Sequence, residues 1–371
     1  MTQKLFTSFK AGSLNLKNRV VMAPMTRRRS ENAYLKPNEL MVKYYEQRAS
    51  AGLIITEGSQ VSPGGYGYMY TPGCYSQEQL QGWKKVTEGV HAWGGKIFLQ
   101  LWHVGALSHP LLQPGGQLPL SASAITPQGE VLTPDGRKKY VQSKPMTLEE
   151  IQETVRNFGQ STTLAREAGF DGVEIHGAHG YLLDQFLRDG TNKRKDEYGG
   201  KVENRARFLF EVLDEVCGNW SSEHVGIRLS PKFNRPGFED SGPEEIFGYV
   251  VEKLNRYRLA YLHISEFGSP GFRNDPVQNT ILPHYRDMYQ GTLISCGNYT
   301  RESAIQTVEM GHADLIAFGK LFISNPDLVE RLKVNAPLNE PKKETFYHGG
   351  PEGFTDYPFL DENDKADKIP D

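Results

Sequence analysis

Short apolar or β-branched runs alternate with longer helix-patterned stretches along nearly the whole chain, about eight times over. The strand-like runs are Arg19–Met25, Leu53–Ser59, Lys96–Leu101, Gly172–Ile175, Gly226–Leu229, Ala260–Ser265, Thr292–Ser295 and Leu315–Phe318. Strand–helix units in series form parallel sheets with right-handed crossovers. An open doubly wound sheet and a closed barrel both satisfy that rule. The barrel is expected, because no G-x-G-x-x-G follows the first strand. The fold class is therefore read as α/β, a (β/α)8 TIM barrel, with residues 1–371 as one domain. A length of 371 residues suits such a barrel.

Local signals agree with this reading. Thr147 with Glu150 three residues on predicts a capping box, and the stripe Ile151, Val155, Phe158, Thr162, Ala165 has helical period. Pro243 after Gly242 predicts another helix start. One stretch breaks the pattern. Residues 105–145, between the third strand and the third helix, are rich in Pro, Gly and Ser. Val131-Leu132 and Tyr140-Val141 suggest a hairpin there. A long insertion after a barrel strand is expected to be a lid on the catalytic face. A flexible tail is expected from about 360 to 371.

Several function classes are disfavoured. Net charge is −3, with no basic patch for nucleic acid. The three cysteines, Cys74, Cys217 and Cys296, form no C-x-x-C pair, which argues against a disulfide framework, a cysteine zinc site or an iron–sulfur cluster. Reduced thiols suit the cytoplasm. Met1 to Phe6 opens no signal-peptide run, and no stretch has the roughly 18 apolar residues of a membrane span.

The chemistry concentrates in Gly172-Val173-Glu174-Ile175-His176-Gly177-Ala178-His179-Gly180-Tyr181-Leu182-Leu183. A buried strand runs into two histidines and a tyrosine, at the end where barrel catalytic groups collect. One helical turn would bring His176 and His179 to one side. Two imidazole N–H groups converging on one oxygen could stabilise charge developing there. Tyr181 would hold its proton at neutral pH and serve as a general acid. Ordinary loop histidines, or ligands of a metal-dependent barrel hydrolase, are the competing readings, although no third ligand completes a metal motif.

Further motifs stand in order along the chain: Asn18-Arg19-Val20-Val21-Met22-Ala23-Pro24-Met25-Thr26-Arg27, Gln100-Leu101-Trp102-His103, His176 to Leu187, Asn192-Lys193-Arg194, Glu203-Asn204-Arg205, Arg228-Leu229-Ser230, Ala317-Phe318-Gly319-Lys320 and Thr355-Asp356-Tyr357-Pro358. With these, the chain resembles the Old Yellow Enzyme family of FMN-dependent ene reductases, from about Phe6 to Pro358.

The resemblance implies non-covalent FMN across the barrel mouth and NADPH or NADH as hydride donor. Pro24, Met25 and Gly58 would lie against the isoalloxazine, and Met25 stands where a related subgroup has Cys. Thr26 would donate its hydroxyl to the flavin C4 carbonyl. Gln100 would pair with the pyrimidine edge, and Arg228 would sit by N1 and the C2 carbonyl. Gly297, Asn298, Gly319 and Lys320 would hold the phosphate; the family usually has Arg where Lys320 stands. His176 and His179 would grip a carbonyl or nitro oxygen, and relatives with Asn at the second place make this a His/His subtype. Tyr181 would protonate Cα opposite the flavin while N5 delivers hydride to Cβ, in a ping-pong cycle. Tyr68, Trp102 and Tyr347 would line the pocket. The implied partner is a small electron-poor alkene, taken by a monomer or homodimer. A flavoprotein that holds FMN without turnover is the non-enzymatic rival.

Overall fold

The computed structural model describes residues 3–360. Eight parallel strands close a barrel: β1 Val20–Met22, β2 Leu53–Ile55, β3 Ile97–Trp102, β4 Gly172–Gly177, β5 Val225–Leu229, β6 Tyr261–Ser265, β7 Leu293–Cys296 and β8 Leu315–Phe318. β8 pairs with β1, and β3 with β4 through Glu174↔Gln100, which closes the circle. Between them run α1 Glu39–Glu46, α2 Gln77–Ala92, α3 Leu148–Glu167, α4 Val202–Asn219, α5 Pro243–Leu254, α6 Leu282–Met288 and α7 Arg301–Glu309, with α8 Leu328–Val334 after β8. The expected TIM barrel is thus the observed fold.

The start signals act as read. The Thr147 side chain accepts from the Glu150 N–H at 3.2 Å, and the Glu150 carboxylate accepts from the Thr147 N–H at 2.8 Å. All five residues of the α3 stripe are buried against the barrel. Two strands are shorter than predicted. β1 ends at Met22, just short of Pro24, which has no N–H for the ladder. β2 stops at Ile55; a two-residue piece, Ser59–Gln60, then pairs again beside the end of β3. Asn38 caps α1, its side chain accepting from the Met41 N–H, and the helix ends at its C-cap, Gln47.

A hairpin that the sequence did not announce, Phe9–Ala11 with Leu14–Leu16, plugs the end of the barrel where the strands begin. Its Ala11, Leu14 and Leu16 pack with Val21, Leu53, Phe98, Tyr261 and Leu315. Above this apolar plug the inward side chains turn polar: Gln100, Glu174, Arg228 and His263 are all buried. The insertion forms its hairpin one step earlier than expected, Glu130–Thr133 with Gly136–Lys139. Tyr140 lies just past it and packs with Val131, Leu107 and Leu112 against Trp102. Leu360, placed in the expected tail, is buried, and its N–H donates to Asp327 at 2.6 Å. Residues 361–371 of that tail lie outside the described residues.

Candidate active site

Nine of the residues singled out from the sequence line one cavity of about 220 Å³ at the ends of the barrel strands: Pro24, Thr26, Gly58, Gln100, Trp102, His176, His179, Tyr181 and Arg228. His179, Tyr181 and Arg228 also line a wider cleft of about 1480 Å³, together with Gly297, Asn298, Gly319, Lys320 and Tyr347. The two cavities form one depression, and the loops after β7 and β8 make its far end, the usual phosphate position in such barrels. Met25 lies beside it: a Cβ on Gly319 would come within 3.5 Å of the Met25 sulfur. Tyr68 stands one layer back, its ring 5.5 Å from Trp102 and its hydroxyl 3.3 Å from that of Tyr181.

The two histidines meet by a route other than the helical turn expected. His176 is on strand β4, while His179 sits in the following turn at φ +59°, in the left-handed region. The His179 N–H donates to the Ser230 hydroxyl at 2.8 Å, which secures that turn. The rings stand edge to face, 5.6 Å apart, with Tyr181 4.9 Å from His176. His179 Nε2 is 2.9 Å from the Ser265 hydroxyl, so Nδ1 is its uncommitted nitrogen. Ser230 and Ser265 were not singled out as site residues, yet each ends or follows a predicted strand, where barrel site residues collect.

Burial fixes the protonation states. His176 is held well below the usual histidine range by burial, by the Arg228 charge and by His263. His179 is held down by burial, then by Arg228 and His176. Both rings are therefore neutral near pH 7, each with one N–H to donate. Burial pushes the Tyr181 phenol up to about 12, although its bond with Tyr68 pulls the other way. It holds its proton until a stronger base forms beside it.

The cavity fits a flavin. Among the described residues Arg228 makes no ion pair; its Nη2 reaches only the Cys296 sulfur, at 3.3 Å, and its Nε has no partner. A buried guanidinium without a carboxylate, facing a cavity, suits an anionic ring that supplies the missing charge. His176 Nδ1 and Trp102 Nε1 are likewise buried without partners. Gly58 is required for a further reason: a Cβ there would lie 2.8 Å from the Trp102 ring. No group of three or more His, Cys, Asp or Glu that could hold a metal ion occurs among the described residues.

Known proteins resemble this chain along its length. The family model of the NADH:flavin oxidoreductase / NADH oxidase family matches residues 4–339. The chain is 45% identical to 12-oxophytodienoate reductase 7 of Oryza sativa subsp. japonica, covering 96% of this chain and 94% of that protein. It is 41% identical to 12-oxophytodienoate reductase 2 of Arabidopsis thaliana, covering 96% of each. Morphinone reductase in complex with tetrahydroNAD superposes with a TM-score of 0.90 at 46% identity, over 97% of this chain and 98% of that one. The old yellow enzyme homologue from Zymomonas mobilis does so with a TM-score of 0.90 at 39% identity, over 96% and 99%. Matched along nearly its whole length, the chain belongs to the NADH:flavin oxidoreductase / NADH oxidase family, the Old Yellow Enzyme family that its motifs resemble.

Proposed function

We propose that, in this FMN- and nicotinamide-dependent ene reductase, His176 and His179 hold the oxygen of an activated alkene and Tyr181 supplies the proton. When bound, the flavin supplies the hydride that it has received from NADPH or NADH. The remaining work belongs to the chain. The two neutral imidazoles offer N–H groups to one carbonyl or nitro oxygen and polarise the conjugated C=C bond. In this structure the Tyr181 hydroxyl donates to Tyr68; turned toward Cα, the same proton would be given to the alkene, and Tyr68 would then donate to the phenolate that remains and steady it. Trp102 and the insertion packed on it keep water from this end of the cavity, which gives the insertion its role as a lid. Arg228 and Gln100 would hold the flavin's pyrimidine edge. Gly297, Asn298, Gly319 and Lys320 would receive its phosphate, with Lys320 as a point charge in place of a bidentate Arg.

One observation carries this reading: two neutral imidazoles, one buried and one half-buried, a protonated phenol and an unpaired guanidinium open onto the same cavity. A small electron-poor alkene suits its size. We assign the protein to the cytoplasm, since its three cysteines are free; no helix among the described residues is long and apolar enough to cross a membrane. The test is a visible spectrum of the purified protein, then anaerobic bleaching with NADPH and return of the colour with cyclohexenone or a maleimide. A colourless protein contradicts the reading. A yellow protein that NADPH does not bleach would be a flavin carrier without turnover.

A further inference from the structure

Beneath the cavity lies a buried polar chain in which only Gln100 has a role above. Gln100 on β3 donates its side-chain amide to Glu174 Oε1 on β4, at 2.7 Å. The other carboxylate oxygen, Oε2, lies 2.7 Å from His263 Nδ1 on β6. Gln100 is 2% exposed, and Glu174 and His263 are wholly buried. No Lys or Arg pairs with Glu174; among the described residues His263 is its one ion-pair partner. The bond from β4 to β6 passes inside β5, where Gly226 is the register partner of Glu174 and brings no side chain into its path.

A buried carboxylate so placed has a cost, which its neighbours must offset. Its chemistry suggests what it does. Ionised, Glu174 can only accept, and it accepts from two sides. Gln100 must therefore turn its NH2 toward Glu174, and its carbonyl oxygen is left as the end facing the cavity. The pyrimidine edge of an isoalloxazine presents one donor, N3–H, between two carbonyl acceptors. An outward-facing acceptor matches that donor; an outward-facing NH2 would meet it donor to donor.

We infer that Glu174, itself held by His263, is a positioning residue that fixes the amide of Gln100 with its oxygen toward the flavin N3–H. The inference rests on the reading of this cavity as the flavin seat. An isosteric amide at position 174 cannot do the same. In Glu174→Gln the His263 Nδ1–H still needs an acceptor, so the new amide would turn its oxygen there and its NH2 toward Gln100. Gln100 would then flip.

The test compares FMN with 3-methyl-FMN, which lacks the N3–H, on the flavin-stripped full chain, read by quenching of flavin fluorescence. The wild type should bind FMN far more tightly than 3-methyl-FMN. Glu174→Gln should weaken FMN by ~10-fold, the scale of one lost and one mismatched hydrogen bond, and change 3-methyl-FMN by less than about 2-fold, since that ligand has no donor to lose. The discrimination between the two flavins should thus fall by about the same 10-fold. If Glu174 only fills the barrel, the variant will melt lower and keep the wild-type discrimination, and the inference is overturned. Gln100→Leu is the second variant, usable if Glu174→Gln does not fold: it should lose the same discrimination, and its retention would overturn the inference equally. A wild type that does not bind FMN overturns the seat and this inference together; a wild type that binds and discriminates, beside a Glu174→Gln that does the same, overturns only the inference.

Discussion

Replacing Tyr181 by Phe removes one hydroxyl and leaves its packing. The ring keeps its edge-to-face contacts with Trp102 at 5.0 Å and His176 at 4.9 Å. The hydroxyl of Tyr68 loses a partner at 3.3 Å, a loss of roughly 1 kcal/mol in stability, so the variant should fold. The alkene half-reaction should suffer far more. A positioned general acid contributes ~10²- to 10⁴-fold. Here the replacement sources are poor: Tyr68 stands a layer further from the cavity, its phenol raised well above the usual range by burial and by Tyr181. We expect a loss of ~10³-fold, or ~4 kcal/mol of transition-state stabilisation. Bleaching of the flavin by NADPH needs no proton from Tyr181 and should change by less than about 3-fold, since the hydroxyl contributes at most uniform binding there. Anaerobic stopped-flow separates the two steps, following loss of colour with NADPH and its return with cyclohexenone. Equal loss in both steps, or full-speed return of colour, would refute the role given to Tyr181.

Other perturbations probe the charges. Arg228→Leu should lower the midpoint potential of the bound flavin by ~50 mV or more, because a fixed cation a few ångströms from a developing anion contributes up to ~4 kcal/mol; an unchanged potential in spectroelectrochemical titration would remove Arg228 from that role. The rate of colour return in single turnover should be flat from about pH 6 to 8, since both site imidazoles titrate below the ordinary value of 6.5; an inflection near that value would show a charged histidine. Glu57, which accepts from the N–H groups of Arg27 at 3.1 Å and Arg28 at 3.3 Å, is pushed up to about 7 by burial, against an ordinary 4.5. A raised folded value gives stability that is present below about 4.5 and lost as pH rises through about 7. Glu57→Gln should therefore gain on the wild type by up to ~3 kcal/mol between pH 5 and pH 8, read as diverging melting temperatures; parallel curves would refute the assignment.

What could be read from the sequence divides along physical lines. The barrel was legible because buried parallel strands are near-continuous apolar runs, and each of the eight was visible without its neighbours. The site was legible where a motif is contiguous, as from His176 to Tyr181. The geometry inside that motif was not: the spacing of three suggested a helical turn, whereas His179 takes a left-handed turn secured by Ser230, a residue 51 positions away. The N-terminal hairpin was missed because Phe9–Ala11 and Leu14–Leu16 are three residues each, too short for a periodic signal. Glu174 and His263 show the same limit. Nothing local distinguishes them from other polar residues in strands, and only closure of the barrel brings them together across β5.

These separate observations imply a common electrostatic design. Burial keeps His176 and His179 neutral and Tyr181 protonated across the physiological range, while the Arg228 guanidinium contributes a fixed positive charge. No group lining the inner cavity changes its charge near neutral pH, so changes of charge there come with the ligands. That suits the proposed cycle, in which one site serves two reactions in turn. A nicotinamide and an alkene place different demands on the same space, and a cavity that titrated between them would favour one at the expense of the other. Rigid support makes such constancy attainable: Arg228 and His176 are register partners on adjacent strands, and Gln100 and Glu174 are register partners on the next pair. The groups that would face the ring are thus held by the barrel's own ladder, and the loops are left to shape the substrate end.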